Sequence, residues 1–429
     1  MKASITTLGC RVNQYESDAI AELLQKRGFT LVPFGEACDV AIINTCTVTG
    51  ESDRKSRQLI RRAPEGAAVI VTGCFAETAP EAAAALGAAA VIGNKDKGKV
   101  ADIAAALAAG GIPEGVGEAD PDTWDGLQIT APKRARAYIK IEDGCENRCA
   151  YCIIPAARGR VRSKPVEAVL REAETIAATG CCEVILTGIE TGSYGRDLTD
   201  MDLAALLPRV AAVPGIRRIA LGSLDPTVLR PAFVEMAAAL PALLPHFHLS
   251  VQSGSDTVLH RMRRKYNADT VIRNMERMRA AVPGVTFSAD IIVGFPGETE
   301  AEFSETVEFC KAAQFLHLHV FPYSKRAGTE AAQMPEQLSG PEKKRRAAAL
   351  AASQKKTQAA LLSAYIAAHR TDPVYVLGEK WEGGVTVGHT EHFIPCEIPT
   401  ETDGTGKILP VCLTERKGAT LKGKTICSS

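Results

Sequence analysis

Hydrophobic and polar positions along the chain follow two rhythms, and their alternation divides it into three stretches. Over residues 1–112, short apolar runs at 4–8, 40–44, 68–72 and 91–92 are interleaved with amphipathic or alanine-rich segments at 16–27, around 53–62, after 72 and at 99–108. Short apolar runs bounded by turn formers predict buried strands. The interleaved helical periods predict crossovers, hence a mostly parallel sheet with helices on both faces. A second series starts near residue 137. Strands are expected at 137–141, 183–187, 217–221, 248–252, 286–293 and 316–321, with helices at 166–178, 201–213, 227–239 and 300–313 between them. Six such units predict an open, partial TIM-like (βα)6 barrel, whose functional loops follow the carboxyl ends of its strands. A long alanine- and lysine-rich helix is expected at 341–369. Short segments at 374–377, 384–389, 392–394 and 406–413 then predict a small OB-like β-barrel, either a nucleic-acid module or a structural cap. The expected class is α/β, with domains at 1–112, 131–368 and 369–429 and a linker rich in Gly, Pro and acids at 113–130.

Composition narrows the picture. At 429 residues with 46% hydrophobic positions, the chain suits a soluble multidomain protein. It has no apolar stretch of membrane-spanning length and no signal-peptide core, so a cytoplasmic protein with no membrane partner is expected. The net charge of +0 advertises no global attraction to nucleic acid. Basic runs at Arg54, Lys55, Arg57, Arg61 and Arg62, at Lys133, Arg134 and Arg136, and at Lys343, Lys344, Arg345 and Arg346 would be RNA contacts only if they border an active site. Thirteen cysteines in such a chain point to metal or redox chemistry rather than to disulfides.

The cysteines carry the chemistry. Cys145, Cys149 and Cys152 form a C-x3-C-x2-C run after the first barrel strand. Three thiolates this close can hold three irons of a [4Fe–4S] cluster and leave the fourth iron open to a small molecule. Structural zinc takes four ligands in two pairs, and the adjacent Cys181 and Cys182 cannot supply the second pair. Cys10, Cys46 and Cys74 each follow a strand of the first sheet, so they should converge at its carboxyl edge and hold a second cluster. Gly9 and Gly73 beside them would let the backbone approach a bulky cofactor. Cys38, Cys181, Cys182, Cys310, Cys396, Cys412 and Cys427 read as buried structural cysteines.

Taken together, these features resemble the radical S-adenosylmethionine (SAM) methylthiotransferases. The Thr7-Leu8-Gly9-Cys10-Arg11-Val12-Asn13-Gln14-Tyr15-Glu16 start looks like the MtaB branch, as do Arg158-Gly159-Arg160, Ser193-Tyr194-Gly195 and the run from Gly388 to Phe393. Ala156 and Glu190 depart from that pattern, which more often has a larger residue and a His there. The resemblance implies two [4Fe–4S] clusters: a SAM-cleaving one on Cys145, Cys149 and Cys152, and an auxiliary one on Cys10, Cys46 and Cys74. It implies a methylthiotransferase N-terminal domain, a radical SAM domain and a TRAM-like RNA-binding domain. The implied reaction converts N6-threonylcarbamoyladenosine at position 37 of the tRNA anticodon loop to its 2-methylthio derivative. It would need an electron donor such as flavodoxin or ferredoxin and a sulfur source. By position at strand ends, Thr187, Gly188, Ser223 and Gln252 are candidates for holding SAM. Arg158 and Arg160 are candidates for a SAM carboxylate, an RNA phosphate or a substrate carboxylate. The alternatives are isopentenyladenosine in tRNA or a ribosomal-protein aspartate as substrate and, from another class, an RNA-binding protein with structural metal sites.

Overall fold

The computed structural model describes residues 1–111 and 124–426. The first stretch forms a five-stranded parallel sheet in the order β2-β1-β3-β4-β5. Its strands are β1 (Lys2–Thr7), β2 (Thr30–Val32), β3 (Val40–Thr45), β4 (Ala68–Gly73) and β5 (Ala90–Ile92). Every residue of the central β3 is buried, as a parallel strand covered on both faces requires. Side chains alternate between two cores: Ile42 and Ile70 pack with Ile20 and Leu24 of helix Arg11–Lys26, while Ile43 and Val71 pack with Ile60 and Phe75. The short edge strand β2 has no counterpart in the expected series. The alanine-rich helix after β4 is two short helices, Cys74–Thr78 and Pro80–Ala84, because Pro80 has no N–H with which to continue the first.

The central strands are β6 (Ala137–Lys140), β9 (Glu183–Thr187), β10 (Arg218–Leu221), β11 (His246–Gln252), β12 (Thr286–Val293) and β13 (His317–Pro322). A two-stranded ribbon, β7 (Glu142–Asp143) with β8 (Arg162–Ser163), sits at the end of β6. The barrel consists of two parallel sheets, β10-β9-β6 and β11-β12-β13, with the isolated pairings Ile219–Leu243 and Leu224–Leu249 between them. Among the described residues β6 and β13 have no partner on their outer sides, so the barrel is open. The expected linker is outside the described residues over 113–123. Its last part is packed: Leu127 and Ile129 are buried in the core of the first domain, and Glu172 Oε1 accepts hydrogen bonds from the Tyr15 hydroxyl (2.9 Å) and from Ile129 N–H.

Helix Gly340–Ala368 runs along β13, where Gln354 and Gln358 donate to the carbonyls of Phe315 (2.7 Å) and Leu316 (3.0 Å). It leads to a closed five-stranded barrel, β14-β15-β16-β18-β17. The strands are β14 (Val374–Glu382), β15 (Val385–Thr390), β16 (Pro395–Pro399), β17 (Ile408–Lys417) and β18 (Thr420–Thr425). The expected segment at 406–413 corresponds to β17, whereas 392–394 is the turn that leads into β16, and β18 completes the closure. This barrel docks on the central domain through Arg218 donating to the Tyr375 carbonyl (2.6 Å) and His246 stacking on Phe393 at 5.3 Å. No helix among the described residues is long and apolar enough to cross a membrane.

Candidate metal centres

Cys10, Cys46 and Cys74 stand immediately after β1, β3 and β4, at one edge of one sheet. Asn13 holds their loops together by donating to the carbonyls of Leu8 (2.7 Å) and Thr45 (2.9 Å). Gly9 and Gly73 have φ of 114° and 96°, in the left-handed region. A Cβ at Gly73 would lie 2.4 Å from the Thr45 oxygen, and one at Gly9 would lie 3.1 Å from Cys46 Cβ. What these glycines admit is therefore the neighbouring loop, rather than the cofactor expected from sequence.

The second trio is held by the β7–β8 ribbon. Cys145 N–H donates to the Gly159 carbonyl (3.0 Å), and Gly144, at φ 92°, passes so near the Arg160 carbonyl that a Cβ would lie 1.8 Å from it. Cys145, Cys149 and Cys152 line one open cavity of about 610 Å³. Two donors point at their sulfurs: Arg264 Nη1 at 3.2 Å from Cys149 Sγ, and Ile154 N–H at 3.4 Å from Cys152 Sγ. Burial pushes the Cys145 thiol up to about 11 and the Cys152 thiol up to about 12, and it also raises Cys10 and Cys46. Left alone these are neutral thiols and poor nucleophiles; a metal is what would deprotonate them. Among the described residues, the one trio of ligand atoms within 4.8 Å of one another is Glu16, Asp125 and Asp143. Both cysteine trios are more open than that, which suits a cluster better than a single tetrahedral zinc, whose sulfurs would be about 3.8 Å apart.

The carboxylate trio is already neutralised by three cations. Lys140 lies 3.2 Å from both Glu16 and Asp143 and also pairs with Asp125, Lys97 pairs with Glu16, and Arg158 bridges Glu16 and Asp143. Burial would raise the Glu16 carboxyl, but Arg158, Lys97 and Lys140 overcome it and hold the group well below the usual carboxylate range. Arg158, expected to meet SAM, RNA or substrate, is thus placed elsewhere. It is fully buried, donates to Asn13 Oδ1, and sets Nε 3.4 Å from Cys74 Sγ. It reaches the first cysteine trio from helix Ile154–Arg158, which follows directly on the second. Arg160 is exposed on the rim of the 610 Å³ cavity.

The strand-end candidates divide between two further cavities. Thr187, Gly188 and Ser223 line one of about 690 Å³, together with Cys10. Gln252 lines one of about 220 Å³ with Cys152 and Tyr151. Asp290 and Phe321 belong to both, so the two adjoin. Gln252 has a φ of 73°, strained for a non-glycine residue and a local mark of a functional loop. Sequence reasoning missed Arg264, Asp290 and the histidines of β11 and β13. The alternation His246, His248 and His317, His319, which puts all four on one face of the barrel wall, was the signal available. Part of the basic runs is taken up by ion pairs within the chain: Arg54 pairs with Glu51, Arg134 with Asp18, and Arg345 and Arg346 with Glu300 and Glu342. Of the seven remaining cysteines, Cys310 and Cys396 are buried, whereas Cys38, Cys181, Cys182 and Cys412 are only half-buried at strand and helix ends. Cys427 lies outside the described residues.

Glu190 is buried, and its carboxylate accepts from the N–H groups of Gly192 (3.2 Å) and Asp225 (3.0 Å). Burial, helped by the Asp225 charge, raises its pKa to about 7 from an ordinary 4.5. The stability linked to the protonated form is present below the ordinary value and lost as pH rises through about 7, a difference on the order of 3 kcal/mol. Glu190→Gln retains an acceptor without the charge. Urea denaturation should find it more stable than the wild type at pH 8 and no more stable at pH 4.

Residues 139–310 match the radical SAM superfamily, and residues 2–93 match the uncharacterized protein family UPF0004. The chain is 38% identical to the threonylcarbamoyladenosine tRNA methylthiotransferase MtaB of Bacillus subtilis, over 94% of this chain and 92% of that one. It is 40% identical to the protein of the same name from Thermotoga maritima, over 80% and 79% of the two chains. Among solved structures, the radical SAM methyltransferase TsrM from Kitasatospora setae, with cobalamin and a [4Fe–4S] cluster bound, superposes with a TM-score of 0.57 over 77% of each chain. At 16% identity that likeness concerns the fold alone.

Proposed function

The chain belongs to the radical SAM methylthiotransferase family, and from that premise we propose that it converts N6-threonylcarbamoyladenosine at position 37 of tRNA into its 2-methylthio derivative. It is an enzyme that transfers a sulfur-containing group, and its family uses SAM and two [4Fe–4S] clusters. The observation that carries the reading is the pair of cysteine trios. One opens to the cavity that holds Cys10, the other to the cavity that holds Cys152, and the two cavities share Asp290 and Phe321.

Cys145, Cys149 and Cys152 would hold the cluster at which SAM binds, and Cys10, Cys46 and Cys74 the auxiliary one. Bound there, these groups supply a deoxyadenosyl radical able to take hydrogen from C2 of the adenine and a sulfur to replace it, with a second SAM as methyl donor. Side chains alone could not do this, because that C–H is too weak an acid for a protein general base. What the chain provides is position and charge. Arg264 sets a cation beside Cys149, held there by Asp225 at 2.7 Å and by Tyr266. Thr187, Gly188, Ser223 and Gln252 offer polar or unobstructed surface for SAM and the base on the adjoining cavity walls. Cys46 and Cys74 are buried away from water, whereas Cys10 is exposed to the cavity. The base comes from a single-stranded loop, from which it can be splayed into a pocket. A flavodoxin or ferredoxin as electron donor, an external sulfur source and a cytoplasmic setting complete the proposal.

The test is anaerobic. Reconstituted protein with SAM, reductant and tRNA lacking methylthio groups should add a methylthio mass to threonylcarbamoyladenosine in a nucleoside digest. A gain on isopentenyladenosine instead would move the substrate. SAM cleavage with no nucleoside gain would direct the search to protein substrates.

A further inference from the structure

The 690 Å³ cavity contains one feature the reaction chemistry does not use. Of the side chains lining it, only Arg11 and Asp290 carry permanent charge. Asp290 is taken up by His248, whose Nε2 lies 3.2 Å from its carboxylate. Arg11 forms no hydrogen bond or ion pair among the described residues. Its guanidinium remains open to water through the cavity, although the surrounding protein lowers its pKa below the usual arginine value. It stays charged all the same. The nearby Arg136 forms ion pairs with Glu183 and Glu379. His246, His317 and His319 face the same space, and the surrounding protein lowers their pKa values below that of an ordinary imidazole. The lining thus presents a single unpartnered cation among hydrogen-bonding rings, one residue from Cys10.

We propose that Arg11 is the residue that recognises the free carboxylate of the threonylcarbamoyl group and so sets the choice of substrate. The proposal rests on the function given above. A planar guanidinium matches a carboxylate in two parallel hydrogen bonds, and the imidazoles of His317 and His319 suit the urea and hydroxyl of the same group, those of His246 being taken by Thr286 and Ser288. The volume lies within the range of small-molecule sites. An apolar isopentenyl group in this place would leave the guanidinium covered and unpaired, so the cation selects against it as well as for the acid.

The experiment measures binding by the reconstituted holoenzyme with SAM. It uses three anticodon stem-loop RNAs: one with N6-threonylcarbamoyladenosine, one with the methyl ester of that group, and one with plain adenosine. The wild type should bind the acid roughly tenfold to a hundredfold more tightly than the ester. Arg11→Gln should bind the two alike, and Arg11→Lys should fall between. Iron content reports folding of each variant, and Arg11→Lys serves if Arg11→Gln loses iron. An Arg11→Gln protein that still prefers the acid overturns the proposal. So does a wild type that distinguishes modified from plain RNA but ignores esterification, and in that case the substrate reading survives. Equal binding of all three RNAs by the wild type overturns the substrate reading, and this proposal with it.

Discussion

Cys145→Ala is expected to reduce SAM cleavage to background, whereas Cys46→Ala keeps cleavage and loses only methylthio transfer. The two residues lie in different loops on different sheets, and each belongs to a trio that opens to its own cavity. Removing Cys145 leaves two thiols for the cluster at which SAM binds. Removing Cys46, a buried side chain of modest size, leaves that cluster and the barrel around it intact. Iron per chain should fall from about eight to about four in each variant, as expected for two four-iron clusters. Deoxyadenosine formation under dithionite, followed by chromatography, separates the two cases. Loss of cleavage in both variants would show that the clusters do not have separate roles.

Arg158→Met should destabilise the protein by about 3–5 kcal/mol, the range for removing one member of a buried ion pair and leaving its partner uncompensated. Glu16, Asp143 and Asn13 Oδ1 would all lose the same donor in a region closed to water. The sign with pH follows from the carboxylates. Burial opposes their charge, but Arg158 and its neighbours hold Glu16 and Asp143 below their ordinary values. The stability they contribute is present above the usual carboxylate range and lost as pH falls. The deficit of the variant should therefore be largest near neutrality and narrow in acid. Arg158→Lys, which keeps the charge but not the fork, should sit between. Denaturant titration under argon measures all three proteins, and a variant as stable as the wild type at pH 7 would contradict this account.

Most of the fold was legible because the main strands of the first two domains are apolar runs between turn formers, unlike the polar pair β7 and β8. Helices Val166–Ala178 and Glu300–Ala313 fall at the expected residues. β2 and β18 were not, since a three-residue edge strand and a strand of alternating Lys and Gly carry little hydrophobic signal. The six cysteines were assigned from the C-x3-C-x2-C spacing of one trio and from the strand-end positions of the other. Arg158 was misplaced because a basic residue beside a cysteine loop looks the same in sequence whether it faces a ligand or a buried carboxylate. Its partner Glu16 is 142 positions away. Arg264 was missed for the same reason, as it reaches Cys149 across 115 positions.

The contact between Arg158 and Cys74 also spans a long stretch of chain, and translation runs along it in one direction. Cys10, Cys46 and Cys74 leave the ribosome first, and Arg158 is added 84 residues after Cys74. At about 5–20 residues per second the delay is about 4–17 s. For that time Glu16 lacks its main counter-ion and three thiols stand without their neighbouring cation. The surroundings of this trio are thus completed late although its thiols are made early, and in that interval oxidation of the nascent chain would compete with folding.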